Sequence, residues 1–266
     1  MKTTIYVMSA TGNSLYAAQK LAQSLGESEI VLLPSDKPVV LTERVGIIGP
    51  VYDGFPSPPV VNFLRGPFRQ ADKSQVKYLF CLHTCGKSPT FAPQIIEKLV
   101  TEAGCAPSYQ NSVRMIDTHV GMVPIRAKLD WKPILDKADG KLARIATEIG
   151  EGALRIPSRR PLAGFALRFL MPKAHQTQGK TGKYLSASDV CISCGACAQI
   201  CPTCAITMEK KKPRFGAGCI GCFACLLVCP KQALLYQMRN WQASYINPRS
   251  HIETYRSTLW KANSTK

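Results

Sequence analysis

Nine of the 12 cysteines crowd between positions 191 and 229. Eight of them form two runs of one pattern, C-x2-C-x2-C-x3-C-P: Cys191, Cys194, Cys197 and Cys201-Pro202, then Cys219, Cys222, Cys225 and Cys229-Pro230. Three soft thiolates this close together can wrap three corners of an iron–sulfur cubane, while the fourth, one residue before a proline, is aimed away. In this bacterial-type spacing the fourth cysteine ligates the other cluster. The expected sets are Cys191, Cys194, Cys197 and Cys229 for one [4Fe–4S] cluster, and Cys219, Cys222, Cys225 and Cys201 for a second. Structural zinc, the competing use of clustered cysteines, usually takes its ligands as two separated pairs, which two complete three-plus-one sets do not match. The runs superpose on a shift of 28 positions: Cys191-Ile192-Ser193-Cys194-Gly195-Ala196-Cys197 falls on Cys219-Ile220-Gly221-Cys222-Phe223-Ala224-Cys225, and Ala205 on Ala233. Cys204, the ninth thiol, falls on Gln232 and is expected to pack, not to ligate. The small residues Gly195, Ala196, Ala198 and Ala224 would let backbone amides approach the sulfides, a contact that helps set a cluster's potential.

A second candidate lies near the N-terminus. The apolar run Thr3–Met8 leads into Ser9-Ala10-Thr11-Gly12-Asn13-Ser14, and a helical pattern opens directly afterwards. Backbone N–H groups and the positive end of a helix dipole there can hold a phosphate, with the Ser9, Thr11 and Ser14 hydroxyls adding hydrogen bonds and Gly12 permitting a tight turn. The loop lacks the lysine of a P-loop and also lacks G-x-G-x-x-G, which disfavours a nucleoside triphosphate and a dinucleotide. A monophosphate fits best.

The first half of the chain alternates short apolar runs with amphipathic ones, as βα units on a parallel sheet do. Strands are expected at Thr3–Met8, Glu29–Leu33, Val45–Gly49, Val76–His83 and Ser112–Ile116. Helices are expected at Ser14–Leu25, in a short piece ending at Leu64, near Ala92–Ala103 and at Trp131–Ile149, with Pro50–Pro59 read as a proline-rich loop. Only about ten residues, Pro34 to Arg44, join strands two and three, so a short helix or an extended crossing is expected there. The expected fold class is α/β, a doubly wound five-stranded parallel sheet of flavodoxin-like order followed by a small α+β domain whose cysteine runs resemble those of bacterial-type ferredoxins. The expected boundaries are 1–150 for the sheet domain, 151–183 for a basic linker with a short amphipathic helix near Leu162–Leu170, 184–238 for the cysteine module and 239–266 for a tail.

The S-x-T-G-N-S loop after the first strand resembles the FMN phosphate loop of flavodoxins. That resemblance implies FMN, with Ser9, Thr11, Gly12, Asn13 and Ser14 at its phosphate and two later loops about the flavin ring. The matching positions are Pro50-Val51-Tyr52-Asp53-Gly54-Phe55 and Thr84-Cys85-Gly86-Lys87. Tyr52 or Phe55 would stack on the isoalloxazine, and Gly54 and Gly86 would allow close backbone approach. Cys85 and Lys87 depart from the acidic, glycine-rich second loop often found in that family. The chain as a whole resembles fusions, found in anaerobic microbes, of a flavodoxin-like domain with a bacterial-type two-cluster ferredoxin. The function implied is electron transfer between two [4Fe–4S] clusters and FMN, linking one-electron carriers to a flavin-level step. The alternatives are an FMN-dependent reductase of a small substrate and a redox-sensing regulatory protein. His83, His119, Lys87 and Cys85 form no recognisable acid–base constellation, and core or surface roles are expected for both histidines.

With 34 basic and 17 acidic residues, the chain carries a formal charge of +17. That charge bears on partners more than on fold. It points to acidic redox proteins near Lys210-Lys211-Lys212 and Arg214; Arg159–Lys173, with Phe165, Leu167, Phe169 and Leu170 as its apolar face, is expected to pack as a helix between the two domains, the alternative being an anionic membrane surface. Nucleic acid is disfavoured, because basic residues are not interleaved with aromatics in a recognised motif. No apolar stretch reaches the length of a membrane span, and the N-terminus lacks a secretory pattern. A cytoplasmic protein with reduced thiols is expected.

Overall fold

The computed structural model describes residues 1–119, 131–157, 165–242 and 244–252, with Leu167 as backbone only. They divide into two compact units. The first comprises Met1–Ser9, Asn13–Ile116 and the described residues from Trp131 to Pro172. The second takes Ala10–Gly12, the described residues from Asp117 to His119, and those from Lys173 to Ile252.

In the first unit, five parallel strands run in the order β2-β1-β3-β5-β6: Ser28–Leu33, Thr3–Met8, Arg44–Tyr52, Tyr78–Cys85 and Tyr109–Arg114. Counting parallel strands alone, this is the 2-1-3-4-5 order of flavodoxin-like folds, with its switch point between β1 and β3. Every residue of β1 and of β5 is buried, as strands covered on both faces must be. Helix α1 (Asn13–Leu25) buries Leu15, Ala17, Ala18 and Leu21 and packs with α5 (Lys132–Gly150). Helix α2 (Pro58–Arg65) packs with α3 (Pro67–Gln70) and α4 (Ala92–Glu102).

Several boundaries move. The segment expected as the loop Pro50–Pro59 is instead a hairpin: β3 continues to Tyr52, turns at Asp53 and Gly54 (φ 52° and 86°), and pairs antiparallel with β4 (Phe55–Pro56). Two successive positive φ values are what a two-residue primed turn requires. The fourth parallel strand runs two residues beyond His83, so Thr84 and Cys85 belong to it. The crossing from β2 to β3 is extended and contains no helix. It is fastened where Tyr6 Oη donates to Val40 O and accepts from Val40 N–H, both at 2.9 Å. Residues expected to open the linker instead border the sheet. Gln110 N–H donates to Arg155 O at 2.6 Å and Arg155 N–H to Ser108 O at 3.0 Å, which extends the sheet's edge beyond β6. The start of the expected linker helix, residues 162–164, lies outside the described residues. Its remainder is a π-helical turn at Ala166–Leu170 running into α6 (Met171–Gly179), with Phe165, Phe169 and Leu170 exposed.

The second unit contains two copies of one β-α-β unit. The first is β7 (Leu185–Ala187), α7 (Ala196–Ile200) and β8 (Ile206–Glu209); the second is β9 (Lys212–Phe215), α8 (Ala224–Val228) and β10 (Leu234–Tyr236). Each copy's last strand pairs antiparallel with the other's first. Ile206 stands opposite Phe215, and its counterpart Leu234 stands opposite Ala187. The expected tail is partly interior: Tyr245, Asn247, Ser250 and Ile252 are buried.

Candidate metal centres and cofactor loops

Two cavities in the second unit divide the eight motif cysteines. One, of about 330 Å³ with its open mouth, is lined by Cys191, Cys194, Cys197 and Cys229. The other, of about 380 Å³, is lined by Cys201, Cys219, Cys222 and Cys225. Each thus draws three sulfurs from one copy of the repeat and one from the other. The local backbone explains how. Gly195 and Phe223, 28 positions apart, both take left-handed φ (74° and 56°) and set α7 and α8 going from the middle of each run. Ser193 (59°) and Gly221 (68°) match in the same way, as do Cys204 (52°) and Gln232 (47°). These turns let three cysteines surround a cavity in so few residues. The Phe223 conformation costs about 1 kcal/mol in a residue with a Cβ. Packing offsets it, with the ring held edge-on to His119 at 5.3 Å and to Tyr236 at 4.9 Å.

The donor set suits a cubane. Beyond sulfur the walls are largely apolar, with Ile192, Met208 and Leu234 on the first cavity and Leu185, Ile206 and Phe215 on the second. The cysteine preceding each proline accepts a backbone hydrogen bond: Ala205 N–H donates to Cys201 Sγ and Ala233 N–H to Cys229 Sγ, both at 3.3 Å. Burial pushes the Cys197 thiol up to about 11 and raises Cys219 and, well above the usual range, Cys225. Deprotonating such thiols requires a strong local positive charge, which coordinating iron supplies.

The loop Ser9–Ser14 has the features a phosphate cradle needs: a left-handed Gly12 (φ 92°) followed by a 13-residue helix with no acid in its first turn. Its side chains are partly committed to holding the loops in place. Ser14 Oγ and Thr84 Oγ1 share a hydrogen bond at 2.7 Å, and Asn13 Nδ2 donates to Ile116 O at 3.0 Å. The loop tip, grouped with the second unit, is backed by the chain's late residues: Asn247 N–H donates to Thr11 O at 2.8 Å, and a Cβ on Gly12 would lie 2.0 Å from Ser250 Oγ. The loops after β3 and β5 also meet. Phe91 N–H donates to Gly54 O at 3.0 Å, and a Cβ on Gly54 would lie 3.1 Å from Thr90. Phe55 is buried and stacks on Phe91 at 5.9 Å, so its ring is part of the core. Pro50, Val51, Tyr52 and Gly86 are half-buried, Cys85 is buried, and Lys87 is exposed. Within the first unit, Asn13, Ser14, Gly54 and Thr84 are thus tied into the loop framework.

Residues 183–245 match the family model of the 4Fe-4S dicluster domain. The chain is therefore a flavodoxin-like sheet fused to a ferredoxin-type iron–sulfur domain. A search of the curated proteins finds no match. Among solved structures the chain is similar to the rubredoxin oxygen:oxidoreductase of Desulfovibrio gigas, at 15% identity and a TM-score of 0.39 over 57% of this chain and 36% of that one. It is also similar to the Trp repressor binding protein of Bacillus subtilis, at 16% identity and a TM-score of 0.37 over 54% of this chain and 99% of that one. A third is the two-electron reduced flavodoxin of Megasphaera elsdenii, at 12% identity and a TM-score of 0.34 over 52% and 98%. The chain spans about a third of the length of the Desulfovibrio protein.

Within the dicluster domain, Cys204 sits exposed on a turn and lines neither cavity. His119, for which a core or surface role is expected, is half-buried and packs edge-on against Phe223, a wall of the second cavity. His83 is a core residue of β5, its Nε2 3.1 Å from Gln110 Oε1, and burial drives its pKa down to about 4. No helix among the described residues is long and apolar enough to cross a membrane.

Proposed function

We propose that this chain is an iron–sulfur flavoprotein that transfers electrons between two [4Fe–4S] clusters and FMN, exchanging them with outside protein carriers. The observation that carries the reading is the division of eight cysteines between two cavities, three plus one in each. Cys191, Cys194, Cys197 and Cys229 would hold the first cluster, and Cys219, Cys222, Cys225 and Cys201 the second. Such clusters take one electron each, and a flavin takes one or two, which is the chemistry the bound groups would supply. The protein's part is to shield and tune: apolar walls limit solvent, and the Ala205 and Ala233 amides stabilise charge on the two cross-over sulfurs. For FMN, the support is the Gly12 turn at the mouth of α1 and the meeting of the loops after β3 and β5 at the carboxyl end of the sheet, where such folds bind ligands.

Anaerobic purification with iron, sulfide and flavin quantified tests this directly. About eight irons and one FMN per chain are expected from two cubanes and one flavin. Four irons or fewer would sink the two-cluster assignment. A full iron complement that takes up no added FMN would sink the flavin half of the reading.

A further inference from the structure

The two cavities differ in how they meet solvent. No wall residue of the second is exposed, whereas the first includes exposed Ile192, Cys194, Pro230 and Lys231. Beside the first cavity stands the tip of the β8–β9 hairpin, Lys210 and Lys211, both exposed and both at left-handed φ (46° and 64°). The tip is tied to the cysteine loop by a hydrogen bond from Ser193 Oγ to Lys211 O. Apolar side chains crown the same loop, with Val190 58% and Ile192 57% exposed. The two acids nearby in the sequence are already engaged, Asp189 with Lys212 at 3.2 Å and Glu209 with Arg214 at 3.3 Å. Lys210, Lys211 and Lys231 make no ion pair among the described residues, leaving a positive rim about an apolar centre.

We infer that this face, with Val190, Ile192 and Cys194 at its centre and Lys210, Lys211 and Lys231 at its rim, docks an acidic one-electron carrier protein against the first cluster. The inference rests on the iron–sulfur assignment of the first cavity. An apolar core inside a charged rim is the layout of a transient protein interface, and charge complementarity there governs encounter and register. A single-stranded nucleic acid would call for a basic groove set with stacking aromatics, and exposed Val190 and Ile192 supply none. The exposed wall of the first cavity makes its cluster the entry, from which electrons would pass to the second.

The test measures binding of a purified acidic two-cluster ferredoxin to the anaerobically purified full chain, at low salt and at about 150 mM salt. The charge-reversed pair Lys210→Glu, Lys211→Glu should raise Kd by about tenfold or more at low salt, with iron content and visible absorbance unchanged. A control pair of equal charge change, Lys37→Glu with Lys137→Glu on the exposed surface of the first unit, should raise it less than about twofold. Ile192→Asp should weaken binding at both salt concentrations. Equal weakening by the two charge pairs, no binding by the unaltered protein, or tighter binding of duplex DNA than of the ferredoxin would each overturn the inference. Iron missing from the unaltered protein would sink the cluster assignment instead, and the Kd comparison would still decide the surface.

Discussion

Cys201 and Cys204 stand three positions apart in the same loop, and only the first lines a cavity. The difference lies in the backbone: Cys204 occupies a left-handed turn position whose counterpart in the second copy is Gln232, so the site asks for a turn and not for a sulfur. Cys229 is the opposite case, because it sits in the second run but faces the first run's cavity. Replacing Cys229 with Ser should therefore remove about half of the iron, the complement of one cubane, while Cys204→Ser should keep all of it. Iron and sulfide assays on the two variants, beside a far-ultraviolet spectrum showing that both fold, check this. Equal iron in the Cys229 variant and the unaltered protein would refute the cross-over assignment.

Among the elements, β5 carries a titration that should be visible in stability. His83 is buried and its pKa falls from 6.5 to about 4, so between those values the unfolded chain binds a proton that the folded chain refuses. The contribution is fully present above pH 6.5 and is lost as pH falls toward 4, amounting to about 2 kcal/mol between pH 7 and pH 5. Denaturant unfolding of His83→Gln should show a drop over that interval smaller by about this amount. An unchanged drop would mean the imidazole is not the group responsible. Strands such as β1 and β5 were legible because burial on both faces demands continuous apolar runs. The β3–β4 hairpin has a strong turn signal in Asp53-Gly54 between Val51-Tyr52 and Phe55-Pro56, but the surrounding prolines mask it, since proline in a run argues against a strand. The 28-position repeat located the cysteine turns, but left-handed φ at Ser193 and Phe223 was hidden, since neither residue type announces it. The Arg155 edge contact was hidden too, because backbone pairing leaves little trace in side-chain type.

At the scale of the molecule, the late residues matter more than a tail would. Tyr245 and Ile252 are buried, and Tyr245 N–H donates to Leu227 O in α8 at 3.2 Å. No periodic pattern marks them, so they could not be read as interior from sequence. Ending the chain after Asn240 should destabilise the second unit by roughly 3–6 kcal/mol, the burial of two large side chains. Iron should then be lost at lower temperature than from the full chain, and identical thermal release of iron would show that the segment is dispensable. The paired β-α-β copies have a consequence of another kind. Exchange them, and the pattern of pairing still holds: the last strand of each pairs with the first strand of the other, and each lends one cysteine to its neighbour's cavity. That is the logic of a two-fold dimer whose subunits have been joined end to end. A lone copy could complete neither site, whereas two separate copies could complete both. The covalent joint between them is the turn at Lys210 and Lys211.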